Sequence, residues 1–240
     1  AKAQKIIKQQ ERAEGFASYR DNPIGWGRDI LGESYTDDQV RVAESVRDNV
    51  VTIARSATDV GKSYVASRVA AWFYSVYPDA QVFMTAAPPI ENLKTILWGE
   101  LMEIVRKKPT VFSGSRLRAL SIARHSKSFV KGVSIPITGS SEEREAKFSG
   151  KHAPHLLFII DEGDAVPDEV YKGIEGCMSS GADEVGGDMV RLLIMFNPRA
   201  KIGPVWEKEY NREANIIQLS AFDHPNVLTG TNVIPGTVSQ

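Results

Sequence analysis

The 240-residue chain lacks several features that would narrow its function class at once. Its single cysteine, Cys177, excludes an intramolecular disulfide and indicates a reducing, cytosolic setting. There is no run of about 18 apolar residues, so neither a membrane span nor a membrane partner is expected. The formal net charge of −1 excludes a global basic field that would attract nucleic acid, although a local basic patch is compatible with that total.

What the sequence does contain is an alternation of short apolar runs and helical segments. Runs such as "VVTIA" and "HLLFIID" are continuously apolar, which is typical of strands buried on both faces of a parallel sheet. Between such runs, "KSYVASRVAAWFYSVY" and "IENLKTILWGELMEIVRKK" show helical spacing. The pattern predicts an α/β fold with a mostly parallel central sheet flanked by helices.

Composition divides the chain into three predicted regions. Residues 1–35 are expected to form an N-terminal helical or lid segment, in which a polar helix is interrupted by "DNPIGWG". Residues 36–222 are expected to form the main domain, beginning with a helix that Thr36 caps and that carries acids in its first turn. Residues 223–240 show no periodicity and are interpreted as a linker.

The stretch "ARSATDVGKSYVAS" resembles a phosphate-binding loop between a strand and a helix. In the pattern G-x-x-x-x-G-K-[ST], Gly61, Lys62 and Ser63 match, whereas Ser56 replaces the first glycine. Backbone N–H groups at the helix N-terminus would contact the phosphates, with a lysine on the β- and γ-phosphates and a hydroxyl on Mg²⁺. The predicted loop residues are Ser56, Ala57, Thr58, Asp59, Val60, Gly61, Lys62 and Ser63.

A second pattern, "HLLFIIDEGD", is a buried strand that ends in acids. Asp161 is expected at the carboxyl end of a strand next to the phosphate-loop strand, where it would hold the water shell of Mg²⁺. Glu162 would polarise an attacking water, as a hydrolase requires. The alternative is that both acids merely end a strand in solvent. Because the two motifs occur together, we predict that the chain binds ATP and Mg²⁺.

Two further polar residues have a structural explanation beside the functional one. Asn197 ends the apolar run "RLLIMFN" and would sense the γ-phosphate, or would only form an Asn-Pro turn. Gln39 precedes the phosphate-loop strand and would reach an adenine edge with its amide. The residues alone favour the other interpretation of Gln39, a solvated helical glutamine.

In this order the motifs resemble the ATPase domain of the large terminase subunit of tailed bacteriophages. The resemblance covers roughly residues 25–225 and rests on "TDDQ", "RSATDVGKS", "TAAPPIENLKTILWGEL", "GKHAPHLLFIIDEGDAVPDEVYKGIEG" and "LLIMFNPR". It implies a P-loop NTPase fold of the RecA-like (ASCE) class. It also implies ATP hydrolysis that drives the translocation of double-stranded viral DNA into a procapsid.

The resemblance assigns roles to residues at matching positions. Gln39 would contact adenine, and Lys62 would bind the phosphates. Ser63 and Asp161 would be the magnesium-associated residues, and Glu162 would be the catalytic glutamate. Each of these roles is implied by the resemblance and adds to the chemistry inferred from the residues.

Three further residues are candidates for a catalytic role. Asn197 would couple hydrolysis to domain movement. Arg55 would stabilise charge on the transferred phosphoryl group within its own subunit, or would form a salt bridge at a strand end. Arg144 is the leading candidate for an arginine that completes the site of a neighbouring subunit. The other candidates for that role are Arg116, Arg118 and Arg124.

The loop departs from the family pattern at Ala57 and Asp59, where related loops commonly have glycine. A residue with a side chain restricts positive φ, and an acid beside a triphosphate costs electrostatic energy, so weak ATP affinity is expected. The family also carries a C-terminal nuclease domain, which would begin where this chain stops. No DNA cleavage by this polypeptide is therefore expected.

The implied partners are those of a packaging motor. The resemblance implies a pentameric ring that docks on the portal protein of a procapsid in the host cytoplasm. The small terminase subunit and double-stranded DNA are further implied partners, and the DNA would be bound whatever its sequence. "RKK" at 106–108 and the basic residues from 116 to 131 offer a phosphate-binding face, or are ordinary surface charge. The competing functions are a DExD-type helicase, which needs a second RecA-like domain, and a non-hydrolysing nucleotide-binding assembly module.

Overall fold

The computed structural model describes residues 15–178, 189–198, 202–234 and 237–238. The strands are β1 (Val51–Ser56), β2 (Gln81–Ala86), β3 (Arg116–Arg118), β4 (Ser121–His125), β5 (Ser128–Gly132), β6 (His155–Asp161), β7 (Met189–Phe196) and β8 (Asn215–Leu219). The α-helices are α1 (Pro23–Trp26), α2 (Asp37–Asp48), α3 (Lys62–Val76), α4 (Ile90–Asn92), α5 (Trp98–Lys107), α6 (Ser141–Phe148), α7 (Asp168–Met178), α8 (Pro204–Tyr210) and α9 (Pro225–Thr229). Short π-helical segments cover Gly27–Leu31 and Leu93–Leu97, and 3₁₀ turns cover Pro109–Phe112 and Gly163–Ala165.

The strands form one sheet in the order β3-β4-β5-β2-β6-β7-β1-β8. Strands β5, β2, β6, β7, β1 and β8 run parallel to one another. At the edge, β4 pairs antiparallel with β5, and β3 pairs antiparallel with β4. The predicted α/β fold with a mostly parallel sheet is confirmed. One expectation was wrong: the acid-bearing strand β6 is not next to β1, because β7 lies between them.

Apolar side chains are buried on both faces of the sheet. On one face, Ala54 of β1 belongs to the same cluster as Trp72 of α3 and Trp98 of α5. On the other face, the neighbouring residue of β1, Ile53, belongs to the same cluster as Ile174 of α7. Successive strand residues thus alternate between two cores, which explains why the strands are continuous apolar runs in the sequence. Trp72 and Trp98 are both buried in the first of these cores. None of the helices in the described ranges is long and apolar enough to cross a membrane.

The structure describes only part of the predicted terminal regions. Residues 1–14 of the predicted lid segment lie outside the described residues, and Trp26 of its remainder is fully buried. In the predicted linker, the Asn226 amide nitrogen donates to the carbonyls of Ile234 (2.9 Å) and Val238 (3.0 Å). The Asn226 carbonyl in turn accepts from the Ile234 N–H (2.7 Å). The domain boundaries stay a prediction.

A buried ion-pair network joins the N-terminal segment to α3. Arg68 donates to both carboxylate oxygens of Glu33 (2.8 and 2.9 Å) and to Glu100 (2.7 Å). Its guanidinium carbon lies 3.6 Å from the ring centroid of Tyr64. Burial opposes ionisation of Glu33, but hydrogen bonds from Arg68 and its positive charge outweigh burial, so the pKa of Glu33 lies below its ordinary value.

Replacing Arg68 with Ala is expected to lower the free energy of unfolding by about 3 kcal/mol, because Glu33 loses its buried partner. The pKa of Glu33 is lowered in the folded state, so the stabilisation is present above the unfolded-state pKa and is lost as pH falls through the folded-state value. Urea unfolding at neutral and acidic pH measures both effects. Arg106→Ala, which removes an exposed pair with Glu103, is the control and should cost less than about 1 kcal/mol. Equal losses in the two variants would contradict this account.

Candidate nucleotide-binding site

The loop between β1 and α3 turns through two residues in the left-handed region. Gly61 has a φ of +85° and precedes the first residue of α3. Asp59 has a φ of +58°, a conformation that aspartate adopts more readily than most residues with a side chain. The side chain of Asp59, which was expected to restrict positive φ, therefore does not prevent the turn. Asp59 is exposed, and its carbonyl accepts a hydrogen bond from the N–H of Val238 (3.0 Å).

Asn197, just beyond β7, is the centre of the polar contacts around this loop. Its Oδ1 accepts a hydrogen bond from Lys62 Nζ, and it lies 3.4 Å from Ser56 Oγ. Its Nδ2 donates to Thr58 Oγ1 (3.4 Å). The structure thus brings Asn197 to the loop, and its role as a γ-phosphate sensor stays a prediction. An Asn-Pro turn that only ends a strand would need none of these contacts.

The position of β7 explains this arrangement. The register pairs Arg55 of β1 with Phe196 of β7 and Ile160 of β6 with Ile194 of β7. The carboxyl ends of the three strands therefore meet at one edge of the sheet, with Asn197 between the loop and the acids.

The magnesium candidates also lie together. Ser63 Oγ donates to Asp161 Oδ2 (3.2 Å), across the gap between α3 and β6. Asp161 is only 4% exposed, and burial raises the pKa of its carboxyl above the ordinary range. A hydroxyl and a buried carboxylate are oxygen ligands of the kind that Mg²⁺ prefers, so these residues fit the ion. Within the part of the chain that the structure describes, no group of three or more His, Cys, Asp or Glu residues forms a metal site of its own.

Glu162 follows β6 in a left-handed conformation, with a φ of +51° and a ψ of +44°. Its backbone N–H donates to Asp161 Oδ1 (3.0 Å). The turn continues into the 3₁₀ segment, where the carbonyl of Gly163 accepts a hydrogen bond from the buried Tyr171 hydroxyl (2.7 Å). The chain direction therefore changes at Glu162, and the hydrogen bonds of Asp161 and Tyr171 stabilise the turn before and after this residue.

Gln39 lies against the loop and is not a solvated helical residue. It is 6% exposed, and its Oε1 accepts from the Thr36 N–H (3.1 Å) in a capping box at the start of α2. Its Nε2 is so close to Gly61 that a Cβ on that glycine would lie 2.5 Å away. The structure therefore places Gln39 at the loop, where an adenine-contacting residue is expected. The capping bond also fixes the direction of its amide.

Arg55 is held beside the loop by residues that the sequence did not single out. Its Nη2 donates to Gln218 Oε1 (3.2 Å), and its Nη1 lies 3.8 Å from Glu209 Oε2. Burial raises the pKa of Glu209, and the charge of Arg55 opposes that rise. Because Gln218 is on β8 and Glu209 is on α8, no local sequence signal linked them to β1. This geometry matches the strand-end salt bridge, and a catalytic role for Arg55 stays a prediction.

The arginines predicted to act on a neighbouring subunit differ in their surroundings. Arg144 donates to the Gly139 carbonyl (3.2 Å) and lies 3.5 Å from Glu169 on α7, so it is bonded within its own chain. Arg124 donates to the carbonyls of Tyr74 and Tyr77 and stacks on the Tyr74 ring, which indicates a structural role. Arg116 and Arg118 on β3 are exposed. The role predicted for Arg144 stays a prediction.

Comparison with solved structures identifies the fold that carries this site. The chain aligns with the large terminase ATPase domain of Thermus phage P74-26 at a TM-score of 0.61 and 17% identity, over 84% of this chain and 87% of that one. The fold is that of a large-terminase ATPase domain. The large terminase of another thermophilic bacteriophage, solved in complex with ADP, aligns at a TM-score of 0.53 and 16% identity over 78% of this chain and 45% of that one.

A sequence relative agrees with this terminase fold. The "Probable terminase, large subunit" of Enterobacteria phage P7 is 28% identical over 203 residues, which cover 82% of this chain and 39% of that protein. The chain thus spans about two fifths of the length of this relative. No protein-family model matches the chain. The resemblance to terminase large subunits that the motifs predict is confirmed.

Proposed function

We propose that this chain is the ATP-hydrolysing part of a motor that translocates double-stranded DNA into a viral procapsid. One observation carries the proposal. The polar residues at the ends of the loop, β6 and β7 lie together, namely Lys62, Ser63, Asp161, Glu162 and Asn197. The relative from phage P7 is a large-subunit terminase by name, and one of the structurally similar large terminases was solved with ADP, which supports nucleotide binding at the equivalent fold.

Each residue of this site has a distinct role in the proposal. The N-terminus of α3 and Lys62 bind the phosphates of ATP, and Gln39 contacts the adenine. Bound Mg²⁺, held by Ser63 and Asp161, would neutralise charge on the phosphates. Glu162 accepts a proton from the attacking water. Asn197 contacts both Lys62 and the loop, so its amide is placed to respond when the γ-phosphate leaves.

The partners follow from the same proposal. The chain works in a homo-oligomeric ring, pentameric in the assembled motor, that docks on the portal of a procapsid in the host cytoplasm. The portal protein, the small terminase subunit and DNA of any sequence are its partners. Arg144 is the proposed arginine that a neighbouring subunit supplies, and Arg55 is the proposed arginine within the same subunit. For Arg144 to act in this way, it would have to leave Glu169.

Steady-state ATP hydrolysis at increasing protein concentration tests the proposal. We expect turnover that stops when EDTA removes Mg²⁺ and that rises faster than linearly with concentration, because neighbouring chains complete each other's sites. ATP binding without turnover at every concentration would contradict the hydrolase and favour a nucleotide-binding assembly module. Turnover strictly proportional to concentration would contradict the shared site and leave Arg55 as the working arginine.

A further inference from the structure

Positive charge is concentrated in one continuous part of this nearly neutral chain. Residues 104–141 contain eight Lys or Arg residues and no Asp or Glu, whereas the whole chain has 29 basic and 30 acidic residues. The rest of the chain is therefore acidic on balance. The basic segment includes the end of α5 and all of β3, β4 and β5. It thus forms the antiparallel edge of the sheet, at the far end from β1.

The strand register places three of these basic side chains on one face. Arg118 on β3 pairs with Ser121 on β4, and Ser121 pairs with Lys131 on β5. Directly paired residues point to the same side of a sheet, so Arg118 and Lys131 share a face. Arg116 lies two residues before Arg118 and points the same way. We call Arg116, Arg118 and Lys131 the edge triad.

The opposite face of this edge is apolar. Leu117 pairs with Ile122, which pairs with Val130, and the last two are fully buried in the core beneath α3 and α5. The edge triad lies on the other face, which it shares with Phe129, a buried residue of the second core. All three residues are exposed, and Lys131 Nζ lies 3.8 Å from the Phe129 ring centroid. Within the described residues, no acidic side chain forms a salt bridge with the triad.

We propose that the edge triad binds the phosphate backbone of double-stranded DNA without reading its sequence. Arg116 and Arg118 are two strand residues apart, about 6.8 Å, which equals two steps of the axial rise of about 3.4 Å between successive phosphates of one DNA strand. Because residues 104–141 contain no Asp or Glu, a duplex can approach the triad without repulsion by carboxylates of this segment. The inference rests on the proposed packaging function and assigns its DNA contact to named residues.

The competing explanation is that charges on the exposed edge strand β3 only prevent edge-to-edge pairing between chains. That explanation predicts self-association when the charges are removed, with no effect on DNA binding. The basic cluster at Arg106, Lys107 and Lys108 provides a matched control. It belongs to the same acid-free segment but lies at the end of α5, where Glu103 pairs with the first two residues.

Anisotropy of two fluorescent duplexes of unrelated sequence, measured from 50 to 200 mM KCl, tests the proposal. The triple variant Arg116→Ala, Arg118→Ala, Lys131→Ala should bind both duplexes at least about tenfold more weakly than wild type at low salt. The slope of log K against log[KCl] should become shallower by about 2 to 3, because three phosphate contacts are lost. The control triple Arg106→Ala, Lys107→Ala, Lys108→Ala removes the same charge and should change the slope by less than about 1.

Three results would overturn the edge triad as a DNA contact: no salt-dependent binding by wild type, equal effects of the two triple variants, or self-association of the triad variant with unchanged DNA affinity. Circular dichroism checks that both triple variants fold. A double variant with Arg116→Lys and Arg118→Lys keeps the charge of the wild type and should retain its DNA binding. ATP turnover is measured on the same samples. Turnover without DNA binding overturns the DNA surface alone, whereas DNA binding without turnover overturns the hydrolase alone.

Discussion

Replacing Glu162 with Gln is expected to lower kcat for ATP hydrolysis by about 10²- to 10⁴-fold, because the amide has the same shape but cannot accept the proton of the attacking water. The backbone of this turn should be retained, since the Glu162 N–H still donates to Asp161 (3.0 Å) and the Tyr171 hydroxyl still holds Gly163 (2.7 Å). ATP binding should therefore change little. Steady-state kinetics and calorimetric titration with ATP measure the two effects separately.

Asp164→Asn is the matched control for the Glu162 variant. Asp164 is an exposed acid in the same turn, so its substitution removes the same charge two residues away from Glu162. We expect its kcat to stay within about twofold of wild type. If Glu162→Gln kept more than a tenth of the wild-type kcat, Glu162 would not be the general base. If its ATP affinity fell in parallel with kcat, Glu162 would act in binding.

Replacing Gly61 with Ala is expected to weaken ATP binding by about 100-fold or more, for two combined reasons. The residue has a φ of +85°, where a side chain costs about 1–2 kcal/mol. The new Cβ would also lie 2.5 Å from Gln39 Nε2, so the amide end of this side chain would have to shift away from Gly61. The substitution would therefore strain the turn of the loop and displace the proposed adenine contact. Calorimetric titration with ATP and urea unfolding measure the outcome.

Gly32→Ala separates these two causes. Gly32 has a φ of +74°, and a Cβ there would meet no atom within 4 Å, so only the backbone cost applies. Both variants should lose about 1 kcal/mol or more of unfolding free energy. Only Gly61→Ala should lose ATP affinity. If Gly61→Ala bound ATP normally, neither the loop conformation nor the position of Gln39 would matter for the nucleotide.

Those parts of the site that depend on neighbouring residues in the chain could be predicted well. Gly61 and Lys62 indicate a loop at a helix start because glycine permits the left-handed turn and the helix N-terminus supplies N–H groups. Thr36 and Gln39 form the capping box that their spacing of three residues allows. Asp59 shows the limit of this reasoning. Its side chain was expected to restrict the loop, yet the residue adopts the left-handed turn itself.

Antiparallel strands β3 and β4 were not predicted, because they are short and partly polar and have no long apolar run. Their pairing is decided by contact with β5, which is already anchored to β2. The charge of this segment was visible in the sequence. The strand register was needed to show that Arg116, Arg118 and Lys131 point to one side.

By itself, the sequence determined the mostly parallel α/β fold, the phosphate-binding loop, and the acids at the end of a buried strand. Each of these depends on apolar periodicity or on a motif within a few residues. Only the tertiary structure decided that β7 lies between β1 and β6, which brings Asn197 to Lys62. It also decided that Arg55 contacts residues of β8 and α8. Strand order and ion pairs join segments far apart in the chain. They therefore follow from how the helices and strands pack together, which no local pattern encodes.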